Sequence, residues 1–289
     1  MHDVRPRRSV LYVPGSNARA LEKARTLPAD GLILDLEDAV APAAKEEARR
    51  LVLAALARGG YGFRETVVRV NGPSTPWGAD DLDAAATSGA EAVLLPKVER
   101  AEEVRAAERA LDAAGAPASL RLWCMIETPR GVLAAAEIAA ATPRLACLVA
   151  GTSDLVKALR ARHTPGRTAV LASLSLAVLA ARASGLAALD GVHLDLADDA
   201  GFEAACRQGR DLGFDGKTLV HPRTLDAANR AFAPTPEEIA LARRIIAAHA
   251  EAERAGSGVV VVDGRLVEAL HVEEARRAVA LADAIAARG

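Results

Sequence analysis

Residues 31–38 read GLILDLED, an apolar run that ends in three carboxylates within four residues. A short continuous apolar run describes a strand buried on both faces, the kind found in parallel sheets covered by helices. Outward from it the same unit recurs: SVLYVP (9–14) before it, then TVVRVN (66–71), AVLLPKVE (92–99), RLWCMIE (121–127), LACLVAG (145–151), GVHLD (191–195) and GKTLVHP (216–222). Between these runs lie amphipathic segments, clearest at 42–58, 100–115, 131–141, 167–184 and 199–213. Eight strands alternating with helices predict an α/β fold, a (β/α)8 TIM barrel. A doubly wound open sheet is disfavoured because its glycine-rich first turn is absent. The barrel is assigned to residues 1–233. Residues 234–289 form a C-terminal helical extension: a helix over 235–255 opened by Thr235 and Pro236, a strand or ribbon in GSGVVVVDG (256–264), and a last helix over 270–288. The extension is expected to pack on the barrel mouth or on a neighbouring subunit.

The composition narrows the function classes. The 289 residues are 51% hydrophobic, 26% charged and 3% aromatic, with a formal net charge of -2. That balance argues against a nucleic-acid partner, and no apolar stretch is long and uncharged enough for a membrane span. MHDVRPRRSV at the start lacks the apolar core of a secretory signal. Cys124, Cys147 and Cys206 have no metal-ligand spacing and read as packed, reduced thiols of a cytoplasmic protein. Alanine, nearly a quarter of the chain, favours helix but reads as codon bias rather than function.

A barrel of this type carries its active site at the C-terminal ends of its strands. Those ends hold Pro14-Gly15, Asp35-Leu36-Glu37-Asp38, Arg69 and Asn71, Lys97, Glu127, Asp154, Asp195 and His221. So many carboxylates on one rim repel one another unless a cation sits among them. Mg²⁺ takes oxygen ligands, often one or two carboxylates completed by water and substrate. Glu127 and Asp154 are the natural ligand pair. Asp35, Glu37 and Asp38 then hold metal-bound waters, which makes Glu37 and Asp38 candidate catalytic groups. Arg69 alternates with Val68 and Val70 and so points into the barrel, where a guanidinium can grip a carboxylate or stabilise an oxyanion; a structural ion pair with the DLED acids is the competing reading. A Schiff base at Lys97 is disfavoured, since acidic company raises its pKa. Gly213–Thr218 lacks the spacing of a phosphate loop, and Ser153 lacks a nucleophile elbow. His193 reads as a core residue, and His2, His163, His249 and His271 as surface residues.

Taken together, RSVLYVPGSN, DLEDAV followed by Lys45 and Arg49, VRVN, LLPKVE, IETPRGV, GTSDL and GFDGKTLVHP resemble the citrate lyase β-subunit-like CoA-ester lyases of the HpcH/HpaI aldolase family, whose kin include malyl-CoA and citramalyl-CoA lyases. The resemblance implies the barrel with its extension, a homotrimer or homohexamer, and an acyl-CoA or keto-acid substrate. It implies Mg²⁺ on Glu127 and Asp154, substrate contacts from Arg69, Glu127 and Pro129, and CoA phosphates held by Arg19 and Lys23. Kin carry an aspartate near the C-terminus that reaches a neighbouring active site; here GRLVE places Glu268 there, as a proton shuttle. The function expected is Mg²⁺-dependent carbon–carbon cleavage of a 3-hydroxyacyl-CoA such as citryl-, malyl- or citramalyl-CoA. The alternatives are a metal-dependent aldolase on free hydroxy-keto acids and a non-catalytic acyl-CoA-binding subunit of a lyase complex.

Overall fold

The structure, a computed structural model, describes residues 4–288. Arg7–Phe232 make one compact unit; Ala233 onward, with the residues just before Arg7, make a second. In the first unit β1 (Ser9–Pro14) is followed by α1 (Ala18–Ala24), β2 (Gly31–Asp35), α2 (Lys45–Arg58), β3 (Glu65–Arg69) and α3 (Gly78–Ala86). Next come β4 (Ala92–Leu95), α4 (Ala101–Ala113), β5 (Arg121–Ile126), α5 (Pro129–Leu133), α6 (Ala135–Ala139), β6 (Leu145–Ala150) and α7 (Thr152–Ala158). The unit ends with α8 (Leu171–Ala183), β7 (Ala187–Asp190), α9 (Asp199–Asp211), β8 (Gly216–Leu219) and α10 (Leu225–Phe232).

All eight strands are parallel neighbours, and β8 closes on β1 through Ser9–Lys217, Val10–Thr218 and Leu11–Leu219. The fold is a TIM barrel. Period two along each strand builds two apolar cores at once. Val10, Ile33, Val67, Leu94, Trp123, Met125, Cys147, Val149 and Leu189 fill the interior. Leu11, Leu32, Leu34, Val68, Val93, Cys124 and Leu148 face the helices. Leu32, Ile33 and Leu34 are fully buried, each worth about 1.5–3 kcal/mol. This double burial is why the strands read as unbroken apolar runs.

Three boundaries differ from the sequence reading. Strand seven is Ala187–Asp190, and 191–195 is loop. The alanine-rich strand blends into the preceding helix, while Gly191 leaves the sheet against Thr152, whose Oγ1 a Cβ would meet at 2.6 Å. The helix expected over 131–141 is two short helices meeting at Ala134, and that expected over 167–184 opens with a 3-10 turn at Thr168–Val170. His193 therefore lies in a loop, half-buried, rather than in a strand core. His249 is buried, 3.7 Å from Glu253, contrary to its surface assignment; His271 accepts the Glu268 N–H through Nδ1 at 3.0 Å. His2 lies outside the described residues.

The second unit contains α11 (Pro236–Arg254), β9 (Val260–Val262), β10 (Arg265–Val267) and α12 (Ala269–Ala286). Thr235 and Glu238 form a reciprocal cap at the start of α11: Thr235 Oγ1 accepts the Glu238 N–H at 3.2 Å, and Glu238 Oε2 accepts the Thr235 N–H at 2.7 Å. β9 and β10 are an antiparallel ribbon whose turn, Asp263-Gly264, has positive φ at both residues. That twist matches a tight hairpin. No helix among the described residues is long and apolar enough to cross a membrane.

Candidate active site

Asp35 and Arg69 end adjacent strands as register partners, and both point inward by alternation with Ile33 and Val67. Their pairing is bidentate: Arg69 Nε donates to Asp35 Oδ1 at 2.7 Å and Nη2 to Oδ2 at 2.6 Å. Asp35 also accepts the N–H groups of Glu37 (2.8 Å) and Ala39 (3.1 Å). With four donors, this carboxylate is committed to shaping the DLED loop and aiming Arg69. The third nitrogen, Nη1, lies 2.8 Å from Glu37 Oε2, and the guanidinium stands 4.7 Å over the Tyr12 ring. Burial disfavours the charge, but the Asp35 bonds outweigh it and push the Arg69 pKa up. The loop is pinned from behind: Lys45 Nζ donates to the carbonyls of Leu36 (2.8 Å) and Glu37 (2.7 Å), and Asn71 Nδ2 to Leu36 (2.8 Å). Arg49 holds Asp81, which anchors Asn71 in turn.

Glu127 leaves the end of β5 with Oε1 accepting the backbone N–H of Lys97 at 2.8 Å. It passes over Gly151, where any side chain would collide with it. Burial pushes its carboxyl up to about 7; Lys97 works against this, and Glu37 and Asp154 add like charge. Asp154, in the first turn of α7, has a buried Oδ2 that makes no hydrogen bond. Lys97 bends back with φ 51, its ammonium hydrogen-bonded to Glu37, 3.3 Å from Asp154 and 3.7 Å from Asp38. Burial pulls the Lys97 pKa down, but the Glu37 bond and the surrounding carboxylates raise it overall. A protonated amine is no Schiff-base nucleophile.

A cavity of about 300 Å³ opens here, lined by the polar residues Tyr12, Asp35, Asp38, Arg69, Glu127 and Asp154 and by the apolar Met125, Val192, Leu194 and Val220. Its size suits a small carboxylic acid or acyl head, not a whole nucleotide thioester. A second cavity of about 350 Å³ shares Thr152, Val192 and Leu194 with it and includes His193. Among the described residues, no group of three or more His, Cys, Asp or Glu is arranged to hold a metal. Two carboxylates, one with an oxygen lacking a hydrogen-bond partner, fit a hard cation that takes its other ligands from water and substrate.

Residues 8–222 match the family model HpcH/HpaI aldolase/citrate lyase. The chain belongs to the HpcH/HpaI aldolase/citrate lyase family. Within it, a (3S)-malyl-CoA thioesterase of Cereibacter sphaeroides strain KD131 is 54% identical over 286 residues, covering 99% of this chain and 98% of that protein. Citrate lyase subunit beta of Escherichia coli K12 is 40% identical over 277 residues, covering 94% and 92%. The crystal structure of CitE from Mycobacterium tuberculosis, in complex with magnesium, acetoacetate and coenzyme A, superposes with a TM-score of 0.77 at 32% identity, covering 98% of this chain and 100% of that one.

In this HpcH/HpaI-family barrel, the cavity brings together Arg69, Glu127, Asp154 and Asp38, with Glu37 joined to them through Arg69 and Lys97. Pro129, exposed at the first turn of α5, does not line it. Arg19 and Lys23 are exposed one turn apart on α1, the helix that follows the end of β1. Glu268 is exposed in the second unit at the start of α12. Asp195 and His221 are exposed; His221 Nδ1 accepts the Arg223 N–H at 3.1 Å. Sequence reasoning misses Tyr12, Met125 and Thr218 as wall residues. Tyr12, two residues after interior Val10, is open to detection by alternation.

Proposed function

We propose that this chain is a Mg²⁺-dependent lyase that cleaves a carbon–carbon bond of a malyl-type 3-hydroxyacyl-CoA. The observation that carries this reading is the meeting of a buried, aimed guanidinium (Arg69) with Glu127 and Asp154 around one small cavity. Glu127 and Asp154 would hold the metal, which when bound supplies a Lewis acid that polarises the substrate's oxygen. Cleavage leaves an electron pair on the thioester fragment, and the Arg69 guanidinium offsets that charge without reorganising, because Asp35 already holds it in place. Arg69 and Glu127 are both buried, so that attraction acts away from bulk water and is strengthened. Arg19 and Lys23 serve the CoA phosphates on the surface, and Glu268 of a neighbouring copy shuttles the proton, taking it from the substrate's hydroxyl as the carbonyl forms and returning it to the α-carbon of the thioester fragment.

Hydrolysis of the thioester is the second reading, favoured by the 54% identical relative named (3S)-malyl-CoA thioesterase. Among the described residues no histidine lines the cavity, so water rather than an activated serine would be the attacking group. Products separate the two. With malyl-CoA and Mg²⁺, carbon–carbon cleavage releases glyoxylate, trapped as its phenylhydrazone, with acetyl-CoA. Hydrolysis releases malate and the free CoA thiol. Activity of either kind that survives both EDTA and Glu127→Ala overturns the metal assignment.

A further inference from the structure

We propose that the Lys97 ammonium is a built-in counter-ion that a divalent cation must displace from Asp154, so that Lys97 sets the affinity of the metal site. This rests on the reading of Glu127 and Asp154 as metal ligands.

A non-glycine residue with φ of 51 is uncommon, and here the bend lets Lys97 reach the same carboxylate cluster twice. Its backbone N–H fixes Glu127 Oε1 at 2.8 Å. Its side chain turns to Glu37, Asp38 and Asp154. The three pairings are unequal. Glu37 receives a direct hydrogen bond, whereas Asp154 Oδ2, at 3.3 Å, is buried and makes none. The Asp154 pairing is therefore one of charge alone and can be given up without breaking the other two.

Electrostatics favour its release when a divalent ion enters. Arg69 is already shared among Asp35, Glu37 and, at 3.7 Å, Asp38, which leaves Lys97 to balance the rest of the set formed by Glu37, Asp38, Glu127 and Asp154. One ammonium offsets a single charge of that set. A doubly charged ion on Glu127 and Asp154 offsets two and repels an ammonium beside the same oxygen. Lys97 is 45% exposed on a flexible stem, free to withdraw onto Glu37 and Asp38. Metal loading would then tighten Lys97 on the DLED loop as it frees Asp154.

The test is calorimetric titration of MgCl₂ into the EDTA-treated full chain and its Lys97→Met and Lys97→Arg variants. The backbone N–H to Glu127 persists in all three, so only the ammonium changes. Lys97→Met is expected to bind Mg²⁺ about tenfold more tightly, and Lys97→Arg to stay near the parent value. Should circular dichroism show Lys97→Met unfolded, Lys97→Gln carries the same expectation. Binding by the parent with equal or weaker affinity in the neutral variant overturns the role of Lys97 alone. No binding by any of the proteins overturns it together with the metal reading.

Discussion

Arg69 is buried with its fork closed on Asp35, so its placement depends on shape as much as on charge. Lysine keeps the charge but has no planar fork, and cannot bond both oxygens while facing the cavity. Arg69→Lys is expected to lower kcat/KM by about 10²–10³-fold with Mg²⁺ affinity little changed, measured by steady-state kinetics and calorimetry. An equal loss in metal affinity would place Arg69 in the metal site instead. Sequence alternation suffices to aim this residue inward. It cannot choose between a substrate clamp and an ion pair with the DLED acids, because that depends on Asp35 and Arg69 falling opposite each other in the β2–β3 register. The structure contains the ion pair while leaving the guanidinium on the cavity wall.

At the scale of elements, the positions after β5 and β6 work as a pair: Glu127 needs the empty space over Gly151. Gly151→Ala puts a methyl group 2.3 Å from the Glu127 Cβ, so it is expected to shift that side chain with the strand end that carries it, lowering the melting temperature and weakening the Mg²⁺ binding proposed for Glu127 by at least about tenfold. Normal affinity with normal melting would disprove this. β7 shows the opposite limit of legibility. A four-residue strand that is half alanine carries little β signal, so the β-prone residues after Gly191 draw the assignment forward and Asp190 escapes notice. Asp190 is fully buried between Arg167 at 2.7 Å and Lys217 at 2.8 Å. Asp190→Ala leaves two cations without their anion and is expected to cost about 3–5 kcal/mol in urea unfolding. A cost below about 1 kcal/mol would show that water reaches the pair.

For the molecule as a whole, the barrel is legible because double burial writes each strand as a continuous apolar run, and eight such runs close a ring. The service to another copy proposed for Glu268 is not legible from pattern, since exposure at the start of α12 is compatible with any role. Mixing inactive Glu127→Gln and Glu268→Gln proteins tests it: activity regained in mixed assemblies supports action on a neighbouring copy, and none regained argues against it. The three cysteines are buried, with burial holding Cys206 up at about 11 and the other two higher. None should react with a thiol reagent at pH 8 until denaturant is added, so a rapid colour change in the native protein would contradict this packing. That silence also leaves released CoA as the signal in the hydrolysis assay.

The two tryptophans stand at opposite ends of the problem. Trp123 is sealed in the barrel interior with the Arg7 guanidinium 5.4 Å from its ring, whereas half-buried Trp77 lies under the ammonium of Lys45, the lysine that grips the DLED loop. Their fluorescence should divide accordingly, with a blue, constant emission from Trp123 and a quenched, responsive one from Trp77. A Trp77→Phe protein should lose any change in emission that metal or substrate produces. Movement of the loop would then be visible in real time, without a label, through a dye the fold already contains.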